Sequence, residues 1–292
     1  MEWSDVRIFL AVARCGSLGS AARVLRLSHP TVGRRLRALE EKIGQVLFQR
    51  HSEGVVLTKP GEAILRLAEE MESNALAIQR RLVGARGQFE GELRISSAGW
   101  FATYALPPVL KELSLQYPGV VPKLIASHRP FDLSRGEADI AFRVTRFDEP
   151  DVVQRRLMRM TYGLYAPKSV PDPKLGDGAG SALLLMDTSE YAYPDVDWVQ
   201  EVLPRARAVF SSNCRSLQAR LCAQGLGVAV LPRPVGDQTP GLRLVDLGIE
   251  PPSRDFWVGY HRDLRQIKPL RAMLDIALRL LGGIDPADPE HS

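Results

Sequence analysis

Ser28-His29-Pro30-Thr31-Val32-Gly33-Arg34-Arg35-Leu36-Arg37-Ala38-Leu39-Glu40-Glu41 reads as one short helix with an apolar underside and an arginine-bearing outer face. Ser28 is placed to cap the orphan amides of the first turn, and Pro30 is tolerated there because those amides have no intrahelical partner. At about 100° per residue, Val32, Leu36 and Leu39 share one stripe, while Pro30, Thr31, Arg34, Arg37 and Ala38 point away from it. One face packs and the other is available to a partner such as a DNA groove. Taken alone, a basic amphipathic helix is more often a surface helix with solvated arginines, so its neighbours decide the matter.

Upstream, Val6, Phe9, Leu10 and Ala13 recur at helical spacing, and Cys15-Gly16-Ser17 supplies a Gly stop followed by a fresh cap. A second helix, Leu18 to Leu27, carries Ser20, Ala21 and Ala22, small enough for close helix approach, and only Ser28 separates it from the basic helix. Two helices joined so tightly must cross steeply, as in a helix-turn-helix. Downstream, Val46 to Arg50 and Val55 to Thr58 are short β-prone runs around His51-Ser52-Glu53-Gly54, which predicts a hairpin, the wing of a winged helix. Residues 1–60 hold ten Lys and Arg against five Asp and Glu, residues 61–90 four against five, and residues 91–292 24 against 24. The whole cationic excess therefore sits on the small helical module, where it supplies the attraction to phosphate that DNA binding requires.

The run from Phe9 to Gly61 strongly resembles the DNA-binding domain of LysR-type transcriptional regulators. The resemblance is carried by Gly16-Ser17-Leu18, Ala21-Ala22, Ser28 to Arg34, Leu39-Glu40-Glu41, Leu47-Phe48 and Leu57-Thr58-Lys59-Pro60-Gly61. It implies that Arg34 meets base or phosphate, with Ser28, His29, Pro30, Thr31, Gly33 and Arg37 beside it and Arg50 or Lys59 reaching phosphate from the wing. Most members carry Gln at the position of His29 and Ser at that of Gly33, so base preference and one phosphate contact depart from the common pattern here.

At 292 residues the chain has room for this unit, residues 1–60, and a larger second domain. No apolar run reaches the roughly 18 residues of a membrane span, and Glu2, Asp5 and Arg7 interrupt any leader core, so a cytoplasmic location with no membrane partner is expected. Cys15, Cys214 and Cys222 suit a reducing compartment and form no CxxC pair, which argues against a structural zinc.

Residues 61–89 read as a linker. From Glu62 to about Gly84 a helix carries Ile64, Ala68, Met71, Ala75, Ile78 and Leu82 at alternating steps of four and three. At roughly 35 Å this stripe is too long for the small module to cover, so a second subunit's helix is the expected partner; a connector lying on its own domains is the alternative. Gly84 to Gln88 then reads as a flexible break.

Residues 90–292 alternate strand and helix. Leu93 to Ser96, Val120 to Ala126 and Ala138 to Phe142 are strands, with a helix from about Phe101 to Gln116 and a short helical connection from Phe131 to Glu137, giving a βαβαβ unit with a parallel sheet. Ligands in such sheets sit beyond the strands' carboxyl ends, near helix N-termini, which selects Ser97 to Phe101, Ser127 to Arg129 and Arg143 to Thr145. A second lobe follows from about Tyr162, with strands at 162–166, 182–186, 206–211 and 227–231 and a helix from about Cys214 to Gln224. The chain crosses back near Tyr260 and ends in a helix over 266–281, giving lobe I at 90–161 and 260–281 and lobe II at 162–259.

Tyr117 to Val120, Asp132-Leu133, Glu137 to Ala141 and Gly225 to Pro232 resemble the effector domain of the same family, itself similar to type 2 periplasmic-binding proteins. That resemblance implies a cleft lined by Ala98, Gly99, Trp100, Phe101, Ser127, His128, Arg143, Ser212 and Asn213, the last two at a helix start. Hydroxyl, amide and guanidinium groups would suit a small carboxylate, although Trp100 or Phe101 is more often core and Arg143 also reads as the partner of Asp139 or another acid. Family resemblance further implies a homodimer or homotetramer and, for an activator, contact with RNA polymerase.

Other chemistry lacks its pattern. Gly225-Leu226-Gly227 precedes a strand and has no third glycine, the histidines at 29, 51, 128, 261 and 291 lack HExxH spacing, and no serine sits in a GxSxG elbow. No catalytic set and no cofactor are expected. Cys214 and Cys222 raise a redox switch, yet eight helical residues separate them by about 12 Å, too far for a disulfide without local unfolding. A solute-binding or enzymatic α/β protein with incidental DNA binding, and a DNA-binding protein needing no ligand, stand as alternatives.

Overall fold

The computed structural model describes residues 2–51, 54–84, 89–127, 131–189 and 191–282, with side chains at all of these except 50, 73, 77 and 79–84. The chain divides into two compact units, Met1–Leu82 and Val83–Ser292.

In the first unit, α1 (Trp3–Cys15), α2 (Leu18–Leu25) and α3 (His29–Ile43) precede β1 (Phe48–His51), β2 (Gly54–Leu57) and α4 (Lys59–Gly84). Gly16 ends α1 in the left-handed region and Ser17 caps α2 by accepting from the Ser20 amide. Ala21 and Ala22 of α2 are buried, which lets α1 and α3 close over it around Phe9, Leu10, Val12, Val32, Leu36 and Leu39. Burial of each of these large side chains contributes roughly 1.5–3 kcal/mol. The β1-β2 hairpin is antiparallel, Phe48 opposite Leu57. It is tied back to the helices where the Val55 amide donates to Gly16 O at 2.8 Å. Gly54 is required there, because its φ of +147° is a glycine conformation and a β-carbon would strike the Gly16 carbonyl. Helix α4 starts at Lys59 rather than Glu62: the Glu62 amide donates to Thr58 O and the Gly61 amide to Thr58 Oγ1, so Thr58 caps it.

The second unit is built on one continuous ladder ordered β4-β3-β5-β11-β6-β9-β7-β8, with β10 also paired to β6. Lobe I holds β3 (Gly91–Ser97), β4 (Val120–Ala126), β5 (Ile140–Arg143) and β11 (Ser253–His261). Lobe II holds β7 (Ala182–Met186), β8 (Arg207–Ser212), β9 (Val228–Pro232) and β10 (Leu242–Val245). The long strand β6 (Val152–Pro167) belongs to both: residues 152–161 pair with β11, and residues 162–165 pair with β9. The expected Tyr162–Ala166 strand is thus the far half of β6, and the chain changes lobe without leaving extended backbone. Each lobe has three parallel strands, β3 with β4 and β5, and β7 with β8 and β9, flanked by antiparallel ones. The sheet is mixed rather than parallel throughout.

Helices α5 (Gly99–Tyr104), α6 (Pro107–Gln116) and α10 (Lys268–Leu281) belong to lobe I, and α7 (Pro194–Val202), α8 (Arg215–Ala223) and α9 (Arg233–Asp237) to lobe II. Several expectations are corrected. The single helix over 101–116 is two, because Pro107 and Pro108 have no amide to continue α5. Residues 131–137 form turns rather than a helix. The return to lobe I begins at Ser253, earlier than 260, since β11 pairs with β6 from there. Helix α8 starts after Cys214, and α7, α9 and β10 are elements that the sequence pattern does not single out.

Candidate nucleic-acid interface and effector cleft

The outer face of α3 is assembled from its cap upward. Ser28 Oγ accepts from the Thr31 amide at 3.3 Å and lies 2.8 Å from the Thr31 hydroxyl. Ser28, His29 and Pro30 are exposed around the helix start, where unpaired amides and the positive end of the helix dipole favour phosphate. Val32, Leu36 and Leu39 are at most 5% exposed and anchor the opposite face. Arg34, Arg35 and Arg37 are exposed. The Nε of Arg37 donates to Gly33 O, laying that side chain along its own helix. Arg34 and Arg35 have no acidic partner among the described residues, so their charge is available to an external anion. Arg35 was passed over in the sequence because it lies to one side of the line through Arg34 and Arg37.

Gly33 is corrected. It is buried against α2, where a β-carbon would meet Leu18 Cδ1 at 3.9 Å, so it is a packing position with room for a small side chain rather than part of the outer face. Glu40 Oε1 accepts from the Leu47 and Phe48 amides at 2.8 and 3.2 Å, fixing the hairpin to α3. Lys59 is exposed at the start of α4, while the Arg50 side chain falls outside the described residues.

The linker stripe divides into two parts. Ile64 and Ala68 pack into the core of the first unit, which corrects their assignment to a subunit interface. Met71 and Ile78 are 40% and 61% exposed, and Leu67 beside them 54%; Ala75 is half-buried, and the Leu82 side chain is not described. Arg14 grips Glu72 through both guanidinium nitrogens, at 3.1 and 2.5 Å, holding α4 to α1.

In the second unit the expected cleft residues separate. The Ser127 amide donates to Ser97 O at 3.0 Å, bringing the ends of β3 and β4 together, with Ala98 at the N-cap of α5 and Gly99 its first residue. Trp100 is half-buried and packs against the hydrophobic cores of both lobes. Phe101 is fully buried and stacked on Phe256 at 4.0 Å, so it is core rather than lining. Arg143 lies 3.6 Å from Glu149, donates to Phe131 O and covers the Phe147 ring at 4.3 Å. Burial lowers its pKa while Glu149 opposes that shift. These contacts make Arg143 a clamp on the loop after β5, corrected from a ligand group; Asp139 pairs with Arg94 instead. Ser212 ends β8 and accepts from the Cys214 amide at 3.1 Å; Asn213 is exposed in the loop, so neither stands at the helix start. His128 falls outside the described residues.

The structure adds a polar cluster at the crossover that sequence reasoning missed. Arg215 and Asp195 are 4% and 2% exposed in a 2.8 Å ion pair, and Arg215 also donates to Val230 O and Gln218 Oε1. Its guanidinium lies over the rings of Tyr162 and Tyr193, at 5.5 and 5.4 Å from their centroids. Burial pushes the Tyr162 hydroxyl up to about 12. No spacing rule links residues 162, 193, 195 and 215; only the packing of α7 and α8 against β6 brings them together.

A winged helix-turn-helix with an unpaired arginine face, joined to a two-lobe α/β unit with a polar crossover, defines a DNA-binding protein that carries a ligand-binding type of domain. Residues 3–62 match the bacterial regulatory helix-turn-helix protein description of the lysR family, and residues 86–282 match the LysR substrate binding domain. The chain belongs to the LysR family of transcriptional regulators, which are DNA-binding regulators rather than enzymes.

Among its relatives, the Mau operon transcriptional activator of Paracoccus denitrificans is 29% identical over 259 residues, covering 88% of this chain and 89% of that protein. TfdS of Cupriavidus pinatubonensis is 29% identical over 294 residues, covering 96% and 98%. The fold is shared with the full-length virulence activator AphB of Vibrio cholerae, at a TM-score of 0.63 and 21% identity over 96% of this chain and all of that one. It is shared also with CbnR solved with its target DNA, at 0.58 and 20% over 96% and 99%. No helix among the described residues is long and apolar enough to cross a membrane.

Proposed function

We propose that this regulator works in the cytoplasm as a homodimer or a pair of dimers, with α3 of each subunit in a major groove and a small organic acid in the interlobe cleft setting the arrangement of the subunits on DNA. The observation that carries the DNA half is the pair Arg34 and Arg35, unpaired on the exposed side of a helix whose other side is locked by Val32, Leu36 and Leu39. Arg34 is assigned base or phosphate contact. Ser28, His29, Pro30, Thr31, Arg35 and Arg37 flank it, and Lys59 or Arg50 reaches phosphate beside the hairpin.

Met71, Ala75 and Ile78, with Leu67, form the α4 face offered to a second subunit, because an apolar stripe this exposed is stabilised by a partner helix. In the cleft, Ala98, Gly99, Trp100, Ser127 and Ser212 supply backbone, hydroxyl and aromatic contacts. A ligand there shifts the regulator only by favouring the arrangement it binds more tightly. Where that arrangement activates, RNA polymerase is the partner.

Footprinting of the full chain on the DNA flanking its own gene, with and without small carboxylates, tests this reading. A protected stretch with two half-sites, whose extent changes when an acid is added, is the expected result. Protection at every sequence alike, or a footprint indifferent to every acid, would overturn the DNA or the effector half respectively.

A further inference from the structure

Apart from the cleft, the C-terminal ends of α5 and α8 and the connection from α9 to β10 enclose an open depression of about 290 Å³. None of the residues assigned to the cleft lines it. One wall is fixed by hydrogen bonds. Gln238 Nε2 donates to Tyr104 O at 3.1 Å, and Thr239 Oγ1 donates back to Val235 O of α9 at 2.7 Å. Arg220, from the last turn of α8, and Gln224, which caps that helix, complete the polar lining.

None of the described residues around the depression is acidic, and Arg220 has no carboxylate partner among the described residues. Asp237, the acid beside Gln238 in the chain, is already taken by Tyr165 and Arg233. A surface arginine by itself is ordinarily solvated. Here it shares a concave wall with the Tyr104 hydroxyl and the Gln224 carboxamide, and neither of those makes a hydrogen bond with another described residue. Uncommitted donors and one uncompensated positive charge therefore line the same hollow.

Size and donor placement select the ligand. The volume lies at the lower edge of the roughly 300–1,000 Å³ of small-molecule sites, more than a bare ion fills. The donors stand on separate elements, the phenol on α5 and the guanidinium and a carboxamide on α8. A phosphate ester presents three acceptor oxygens in different directions, whereas a carboxylate presents two in one plane. The second carboxamide, Gln238, keeps its oxygen as an acceptor for a ligand hydroxyl.

We infer that this depression is a second ligand site, one that takes a small hydroxylated phosphate monoester with Arg220 as its anion contact. Its walls come from α5 of lobe I and from α8 and α9 of lobe II, so an ester that fills it favours the lobe arrangement in which they meet.

The test is calorimetric titration of the full chain with glycerol 3-phosphate, glycerol and inorganic phosphate, at one ionic strength in a phosphate-free buffer. The ester is expected to bind saturably, and glycerol at least about tenfold more weakly for want of the charge-assisted bonds. Inorganic phosphate, which leaves Gln238 unmet, is expected to bind more weakly than the ester. Arg220→Gln alters an exposed side chain, so it is expected to keep the melting temperature and lose about tenfold in ester affinity. Arg34→Ala is expected to keep full ester affinity, which separates this site from the arginine face of α3. No saturable ester binding, equal binding of ester and glycerol, or inorganic phosphate binding as tightly as the ester would each overturn the assignment. So would ester affinity unchanged in Arg220→Gln, or lost in Arg34→Ala.

Discussion

Replacing Asp195 with Ala leaves the Arg215 guanidinium buried without its counter-charge. The pair is 4% and 2% exposed, so solvent screening does not soften the loss. Breaking a buried pair from one side costs about 3–5 kcal/mol. Arg215 keeps two acceptors, Val230 O at 3.0 Å and Gln218 Oε1 at 3.2 Å, which places the expected cost near the lower end, about 3 kcal/mol. For a unit of this size each kcal/mol moves the melting temperature by roughly 2–4 °C, so a drop of roughly 10 °C is expected in the transition of residues 83–292. Urea and thermal denaturation of the full chain measure it. The double variant Asp195→Leu with Arg215→Met, which removes both charges, is expected to return to within about 1 kcal/mol of wild type. A cost below about 1 kcal/mol for Asp195→Ala alone would show that Arg215 is solvated and would refute the buried crossover pair.

Four further outcomes follow from the same structure. Gly33→Ala should stabilise the first unit by about 0.5–1 kcal/mol, because the helix gains propensity and the new methyl has ordinary contact distance to Leu18; a loss of stability in denaturation would show that α2 and α3 are closer than described. Cys222 is fully buried, its thiol pushed up to about 12 by burial and donating to Tyr165 O, so thiol reagents at neutral pH should label it last, after Cys15 and Cys214, and only on unfolding. Mild peroxide should leave Cys214 and Cys222 unlinked, and an intramolecular disulfide seen by mass spectrometry would restore the redox reading. Tyr162, raised from 10.0 to about 12, favours the folded state while protonated, so its contribution is complete below about pH 10 and disappears as pH climbs toward 12; Tyr162→Phe should flatten that alkaline decline, and an identical decline in the variant would contradict its burial.

The helix-turn-helix was legible because its determinants are local. Ser17 and Ser28 cap, Gly16 and Gly44 stop, and the spacing of Val32, Leu36 and Leu39 sets the packed face. Gly33 was misread because its role is set by Leu18 on another helix, which periodicity within α3 does not reveal. The linker stripe was correct as a pattern, but pattern does not say which partner covers it, and Ile64 and Ala68 turned out to serve their own unit. In the second unit the parallel strands showed as apolar runs. The crossover did not, since β6 carries one unbroken extended segment through two lobes and only its ladder partners mark the change. Arg143 reads as a ligand group in the sequence; the Glu149 that engages it lies across a loop whose course the sequence pattern does not reveal.

The central claim is that the exposed arginine face of α3 reads DNA. Binding of wild type and Arg34→Ala to the DNA flanking the gene, compared with a scrambled duplex across a range of salt, tests it most directly. The account predicts that the variant keeps its oligomeric state, binds the scrambled duplex nearly as wild type does, and loses its preference for the flanking DNA, a cost of about 1–3 kcal/mol for a base contact. Unchanged preference at matched salt would contradict it.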